Sequence, residues 1–111
     1  MIIEVISKLN KRVRLTEVQW AHIQYKHKEL NAEIQKIELT LKQPDIIYYS
    51  KSDVLYYYYK HFDQTPVSNK YLLLVVKHLN GEGFVVTAFF CSKIRKANME
   101  AVYGEENIHK L

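Results

Sequence analysis

Residues 14–30 concentrate the residue types that carry proton-transfer and phosphate chemistry. The segment reads R-L-T-E-V-Q-W-A-H-I-Q-Y-K-H-K-E-L and contains one arginine, two histidines and two lysines. Imidazole is the side chain best suited to giving and taking protons near neutral pH. We therefore hypothesise a site for a phosphate-bearing substrate. The alternative is that Trp20 and Ile23 simply anchor an amphipathic helix.

The two histidines, His22 and His27, are five residues apart, which on a straight helix separates them by about 140°. They can face one site only if the helix bends or ends near His27. His22 shares a helix face with Tyr25 and Lys26, so it is the better candidate for an exposed acid or base. His27 falls on the apolar side, where a histidine more often caps or braces a helix corner.

Local signals divide the first part of the chain into a short strand and two helices. Residues 2–6 suggest a strand or an extended arm. Thr16 and Gln19 have the spacing of a capping box, which predicts a helix running to about His27. A second helix is predicted over about residues 29–42, because apolar residues repeat there at helical spacing: Leu30, Ile34, Ile37 and Leu41.

The rest of the chain has the composition of a sheet. Its β-branched and aromatic segments predict about four strands, over residues 45–50, 54–60, 70–79 and 83–92. The last two are joined by Asn80-Gly81, a strong hairpin signal. A short helix is predicted near residues 96–103. Together these elements predict an α+β domain covering residues 1–111, with two N-terminal helices packed on one face of an antiparallel sheet.

The run Tyr56–Tyr59 places its tyrosines alternately on the two faces of a strand. Tyr56 and Tyr58 share a face with Lys60, whereas Tyr57 and Tyr59 share the other. One set must pack against the helices, and core packing is the commoner role for any single tyrosine. The other set could line a surface on which nucleobases stack, at ~1–3 kcal/mol per base.

Positive charge and one strand threonine complete the candidate residues. The net charge of +4 includes a C-terminal cluster that could hold a phosphate, namely Lys93, Arg95 and Lys96. The alternative is an ordinary solvated surface. Thr87 is the only polar residue between Phe84 and Cys91, although threonine is also a common strand residue.

Several classes of protein are disfavoured. There is no ligand spacing typical of a zinc site, no glycine-rich phosphate loop and no Gly-x-Ser-x-Gly motif, so neither a metal nor a cofactor is predicted. The apolar runs are shorter than the ~20 residues of a membrane-spanning helix, and no secretory signal is visible. The single cysteine, Cys91, excludes an internal disulfide. We expect a cytoplasmic protein that does not enter a membrane.

Three blocks of the chain resemble small phage- and toxin-associated proteins of the barnase–EndoU–colicin–RelE-like nuclease superfamily. The first is the segment of residues 14–30, and the second combines L-T-L-K-Q-P-D-I-I-Y-Y-S with L-Y-Y-Y-Y-K. The third is Y-L-L-L-V-V-K-H-L-N-G-E-G-F-V-V-T-A-F-F, and together they cover most of residues 12–96. The resemblance implies helices on a curved antiparallel sheet, and RNA cleavage without a metal by activation of the ribose 2′-hydroxyl.

The resemblance also suggests which residues act. The family's Trp-x-His-Ile pattern falls on Trp20 and His22, and its second histidine falls on His27. Lys28 stands where the pattern has proline, so the sequence leaves the end of this helix open. The remaining pattern positions fall on Arg14, Ser50, Tyr59, Lys60 and Thr87.

The sequence therefore predicts a metal-independent endoribonuclease, the toxin of a toxin–antitoxin or prophage system, with RNA and an antitoxin protein as partners. Its predicted catalytic residues are His22, His27, Arg14, Lys60 and Thr87. Its predicted substrate-binding residues are Ser50, Tyr58, Tyr59, Lys93, Arg95 and Lys96. The alternatives are a non-catalytic RNA- or protein-binding domain of the same fold, and an interaction module that uses exposed tyrosines. The sequence leaves the oligomeric state open.

Overall fold

Two short strands come before the first helix. The computed structural model describes residues 2–106. In it, β1 (Ile3–Ile6) and β2 (Arg12–Leu15) precede α1 (Glu17–Lys26), and a 3₁₀ turn at Lys28–Leu30 leads into α2 (Ile34–Lys42). Five more strands follow: β3 (Ile46–Ser50), β4 (Leu55–His61), β5 (Tyr71–Leu79), β6 (Glu82–Cys91) and β7 (Glu100–Tyr103).

All these strands join one seven-stranded sheet in the order β1-β2-β6-β5-β4-β3-β7. Every neighbouring pair is antiparallel except β2 and β6, which run parallel. The prediction of an antiparallel sheet of about four strands, behind two N-terminal helices, is therefore wrong. The expected C-terminal helix is wrong as well, because β7 occupies that segment and pairs with β3.

Strand β1 lies where the sequence suggested a strand or an extended arm, whereas β2 and β7, of four residues each, were not predicted. Strands this short gain their stability from pairing with distant segments, which local propensity does not report. The predicted hairpin at Asn80-Gly81 is present. Asn80 and Gly81 both have positive φ, 41° and 86°, as the tight turn between β5 and β6 requires.

The helices also depart from their predicted bounds for local reasons. Thr16 caps α1 as predicted, its hydroxyl accepting the Gln19 N–H at 3.1 Å. The second helix starts at Ile34 instead of near residue 29. Ala32 has φ of 65°, a left-handed conformation that an α-helix cannot include, so Leu30 belongs to a separate turn.

The sheet has two unlike faces. One, which we call the helix face, forms the main core with Ile23 of α1 and Ile37 and Leu41 of α2. The other, which we call the open face, has no helical residue in its buried cluster of Ile46, Tyr48, Tyr59, Leu73 and Val75. Residues 92–99, which we call the cover loop, place Ile94 and Met99 against that cluster. A loop therefore packs on the buried cluster of the open face, where helices pack on the other face.

A buried polar group lies at the margin of the helix face. The Tyr58 hydroxyl donates to Ser7 Oγ at 2.9 Å and lies 3.3 Å from His78 Nε2. Because that hydroxyl has one proton, it accepts from Nε2–H of His78. The other ring nitrogen, Nδ1, is buried and has no hydrogen-bond partner among residues 2–106. Burial, followed by the charge of Lys11, lowers the pKa of His78 from 6.5 to about 4.

This histidine should make stability fall in mild acid. As the pH falls, the histidine of the unfolded chain binds a proton before the buried His78 does. The folded state therefore keeps its full stability above pH 6.5 and loses stability as the pH falls towards about 4. At about 1.4 kcal/mol per pH unit the loss is at most about 3 kcal/mol, and partial exposure of the ring reduces it to about 1–2 kcal/mol. Urea unfolding at pH 7 and pH 4.5 measures it. His78→Gln should reduce this dependence of stability on pH, whereas His61→Gln should leave it unchanged. The same pH dependence in the parent protein and both variants would contradict the role of His78.

Candidate functional site

The open side of β6 carries a row of half-exposed residues. The register shifts within the β5–β6 pair, so that Val76 lies opposite Val85 but Val75 lies opposite Thr87. This bulge leaves Val85 in the core of the helix face and sets Thr87 on the open face. Phe89 and Cys91 follow on the same face, opposite Leu73 and Tyr71.

Helix α1 lies along the edge of β6. Strand β2 pairs only with the first residues of β6, up to Phe84, so the rest of that edge is left without a strand partner on this side. The Gln19 side-chain amide donates to the Val86 carbonyl. Gln19, His22 and Lys26 are spaced three and four apart and so form one stripe of the helix. The exposed His22 therefore lies on the flank of α1 that borders the open face.

His27 lies just beyond the end of this helix. It is the C-cap residue of α1, with φ of −133° and ψ of 79°, and its N–H donates to the Ile23 carbonyl at 2.8 Å. The condition set by the sequence, a helix that ends near His27, is therefore met. The His27 ring stacks on Phe89 with centroids 5.3 Å apart, and Nδ1 lies 3.8 Å from Glu29 Oε1. His27 thus reaches the open face.

Arg14 is at the other end of the row. It lies opposite Phe84, and its guanidinium forms an ion pair with Glu82. Its Nε is buried and unbonded within the described part of the chain. A hollow of about 220 Å³ separates Arg14 from the start of α1, and Phe84 and Gln19 line it as well. An anion entering this hollow would meet the guanidinium.

A second cavity, of about 280 Å³, lies beneath the cover loop. Aromatic and apolar side chains form its walls and two cationic residues belong to its lining: Tyr57, Tyr59, Leu73, Phe89, Cys91, Lys93, Arg95 and Met99. We call this cavity the aromatic pocket. Burial raises the pKa of the Cys91 thiol, so it remains a neutral group of the wall near pH 7.

The structure brings together most, but not all, of the sequence-predicted site residues. Arg14, His27, Thr87, Tyr59, Lys93 and Arg95 contribute to the open face, with His22 on its border and Lys96 exposed in the cover loop.

Three predicted residues lie elsewhere. Tyr58 is completely buried in the helix face. Lys60 also points to that side, opposite Leu72, and its Nζ donates to the Gln43 carbonyl. Ser50 is 3% exposed and holds the turn after β3, its hydroxyl accepting the Asp53 N–H at 3.3 Å.

The pocket also contains residues that sequence reasoning missed, chiefly Tyr57 and Phe89. Tyr57 alternates with Tyr58 and therefore shares the face of Tyr59, a signal already present in the sequence. Phe89 could be assigned only from the position of the bulge, which follows from the pairing of β5 with β6. Glu82 was missed because its partner, Arg14, is distant in sequence.

Among residues 2–106 no helix is long and apolar enough to cross a membrane. Within the same residues, no three His, Cys, Asp or Glu side chains come together as a metal site. Comparisons with known protein families, curated proteins and solved structures gave no significant match.

Proposed function

We propose that this protein is a metal-independent endoribonuclease of the barnase–EndoU–colicin–RelE-like superfamily, acting on the open face of the sheet. One observation carries the proposal. Cationic and imidazole groups from three distant segments are distributed along β6, namely Arg14 near Phe84, His27 on Phe89, and Lys93 with Arg95 beyond Cys91. Half-exposed aromatic rings lie among them, and this combination of positive charge with stacking surfaces suits a single strand of RNA.

The proposed reaction is attack of a ribose 2′-hydroxyl on the adjacent phosphate. A histidine takes the 2′-hydroxyl proton, O2′ bonds to phosphorus, and the bond from phosphorus to O5′ breaks. A second acid gives a proton to the leaving O5′. We assign these roles to His27, which stacks on Phe89, and to the exposed His22 on the side of α1 that carries Gln19. Arg14, which lies at the other end of the row and is paired with Glu82, would bind a further phosphate of the strand.

The environment of His27 supports its assignment. Its ring stacks on Phe89, and the Glu29 carboxylate lies on the side of Nδ1. A carboxylate beside one ring nitrogen orients the other towards substrate, as in many acid–base sites. Thr87 is two residues from Phe89 on the same face and would donate a hydrogen bond to phosphate. Lys60, Ser50 and Tyr58 have no part in this site, since their side chains are engaged elsewhere.

The resemblance in sequence further suggests a cytoplasmic toxin that a protein antitoxin neutralises. Induced expression in a bacterial host should then arrest growth, and a variant with both His22→Ala and His27→Ala should relieve the arrest. Tyr25→Ala, on the outward side of α1, is the matched control and should still arrest growth at equal protein levels. Undiminished arrest by the double variant would contradict this proposal.

A second candidate function is supported by the outward side of α1. Val18 and Tyr25 are 82% and 78% exposed, and with Ala21 they form one stripe of the helix. Exposed apolar stripes are typical of protein-binding surfaces. If the protein is a non-catalytic domain that binds RNA or protein, its affinity for RNA should fall with salt and no cleavage product should form.

A further inference from the structure

The aromatic pocket has the shape and chemistry of a site for one flat, anionic ligand. Tyr57 and Phe89 contribute rings to it, and Leu73 forms part of its floor. Its volume of about 280 Å³ is at the lower limit of small-molecule sites. The space therefore suits one ring system, not an extended ligand.

The rings that line the pocket are held in place. Burial, and then the nearby Asp53 carboxylate, raise the pKa of Tyr57. Phe89 carries the His27 ring on one side. A base entering the pocket would therefore meet rings that are already ordered, which lowers the entropic cost of stacking.

The cover loop is ordered by contacts with the sheet. The Arg95 N–H donates to the Tyr59 hydroxyl at 3.3 Å, and the Cys91 thiol donates to the Lys93 carbonyl at 3.4 Å. Met99 N–H closes a turn onto the Lys96 carbonyl at 3.2 Å. These bonds fix the loop backbone that carries Lys93 and Arg95 beside the pocket.

Lys93 and Arg95 keep their charge available. Neither forms an ion pair with a carboxylate anywhere in the described range, residues 2–106. Both are exposed, whereas the walls beneath them are apolar. The ligand that matches this arrangement has an aromatic ring system joined to a phosphate, which is the chemistry of a nucleotide.

We infer that the aromatic pocket binds one unpaired nucleobase of an RNA strand, with the adjoining phosphate on Lys93 and Arg95. This inference rests on the proposed function and adds the place at which one base of the single strand and its phosphate are held. A base in a duplex is stacked and paired, so it cannot enter a pocket under a loop without being displaced. Because His27 stacks on the Phe89 wall, the bound base sets the phosphate to be cleaved beside that imidazole.

The test uses a 2′-O-methyl RNA hexamer, which cannot be cleaved by 2′-hydroxyl attack, so binding is measured apart from catalysis. Its affinity is compared with those of the same sequence in a duplex and of nucleoside monophosphates. We expect the single strand to bind at least tenfold more tightly than the duplex. Phe89→Leu, which keeps an apolar wall but removes the ring, should weaken single-strand binding by about 5- to 150-fold.

Charge is tested with matched lysine variants. Lys93→Ala should weaken hexamer binding and lower the salt dependence by about 0.7 in the log–log slope. Lys42→Ala, on α2 behind the sheet, should change neither quantity. For Phe89→Leu a second measurement is made, the NMR shifts of the Tyr57 ring on titration with hexamer. This measurement separates a loss of stacking from misfolding.

The possible failures are distinct. Equal binding of hexamer and duplex, or unchanged binding by Phe89→Leu, would overturn the pocket assignment even if the protein cleaves RNA. If a nucleoside monophosphate binds as tightly as the hexamer, the pocket is a site for a free nucleotide, and the inference that it binds a base of an RNA strand is overturned. If the hexamer binds as expected but the protein cleaves no RNA, the assignment of the pocket to a nucleobase is supported and the proposed nuclease activity is overturned.

Discussion

Replacement of His27 by alanine is expected to lower the rate of RNA cleavage by ~10²–10⁴-fold, the usual contribution of a general acid or base. The imidazole stands at the open face only because α1 ends at Lys26 and the chain turns at His27. Alanine removes the proton-transferring group but leaves the buried anchor of the helix, Ile23, in place. The loss should therefore appear in kcat measured on a single-stranded RNA, with little change in unfolding temperature.

Two further variants make this result specific. His22→Ala should also reduce kcat, because its side chain lies on the flank of α1 that borders the open face. Tyr25→Ala should leave kcat unchanged, since Tyr25 is 78% exposed on the outward side of the helix. Full activity in His27→Ala, with the fold intact, would remove His27 from the site.

The second large effect concerns stability. Tyr58→Ala should lower the free energy of unfolding by about 3–5 kcal/mol, as for other large buried aromatic residues. Tyr58 is completely buried, and burial raises its pKa to about 12, so its hydroxyl stays neutral. Its removal leaves a cavity, takes one hydrogen-bond partner from Ser7, and takes the partner of Nε2 from His78.

Tyr58→Phe separates the ring from the hydroxyl. It should cost about 1–3 kcal/mol, because Ser7 and His78 lose a buried partner while the packing remains. Urea unfolding measures both variants, and Tyr25→Ala, at an exposed position, should stay within about 0.5 kcal/mol of the parent. A Tyr58→Phe protein of unchanged stability that binds RNA more weakly would return Tyr58 to substrate binding.

Local chemistry predicted the parts of the fold that short segments decide. Thr16 caps a helix, Asn80-Gly81 closes a hairpin, and the tyrosine run alternates between two faces. The strand β2 could not be predicted in this way. Its four residues are stabilised by parallel pairing with a strand 70 residues away, for example Arg12 with Glu82.

The candidate site was predictable to a similar extent. Residue types pointed to phosphate chemistry; Lys93 and Arg95 were named from their charge, and Arg14 from its charge and the family resemblance. The tyrosines that line the pocket are those on the side of the sheet that the helices do not cover, which the sequence alone does not identify. The orientation of Thr87 depends on the β6 bulge. Both follow from the pairing of whole strands. His27 illustrates the same point, since its role depends on one backbone turn after Lys26.

The chemistry of the RNA ends tests the proposed site on the open face. The purified protein is incubated with a 5′-labelled single-stranded RNA in the presence of a metal chelator, and the fragments are analysed by mass spectrometry. Attack by the 2′-hydroxyl predicts upstream fragments ending in a 2′,3′-cyclic phosphate and downstream fragments starting with a 5′-hydroxyl. Intact RNA, or fragments with a 3′-hydroxyl and a 5′-phosphate, would contradict the proposed reaction.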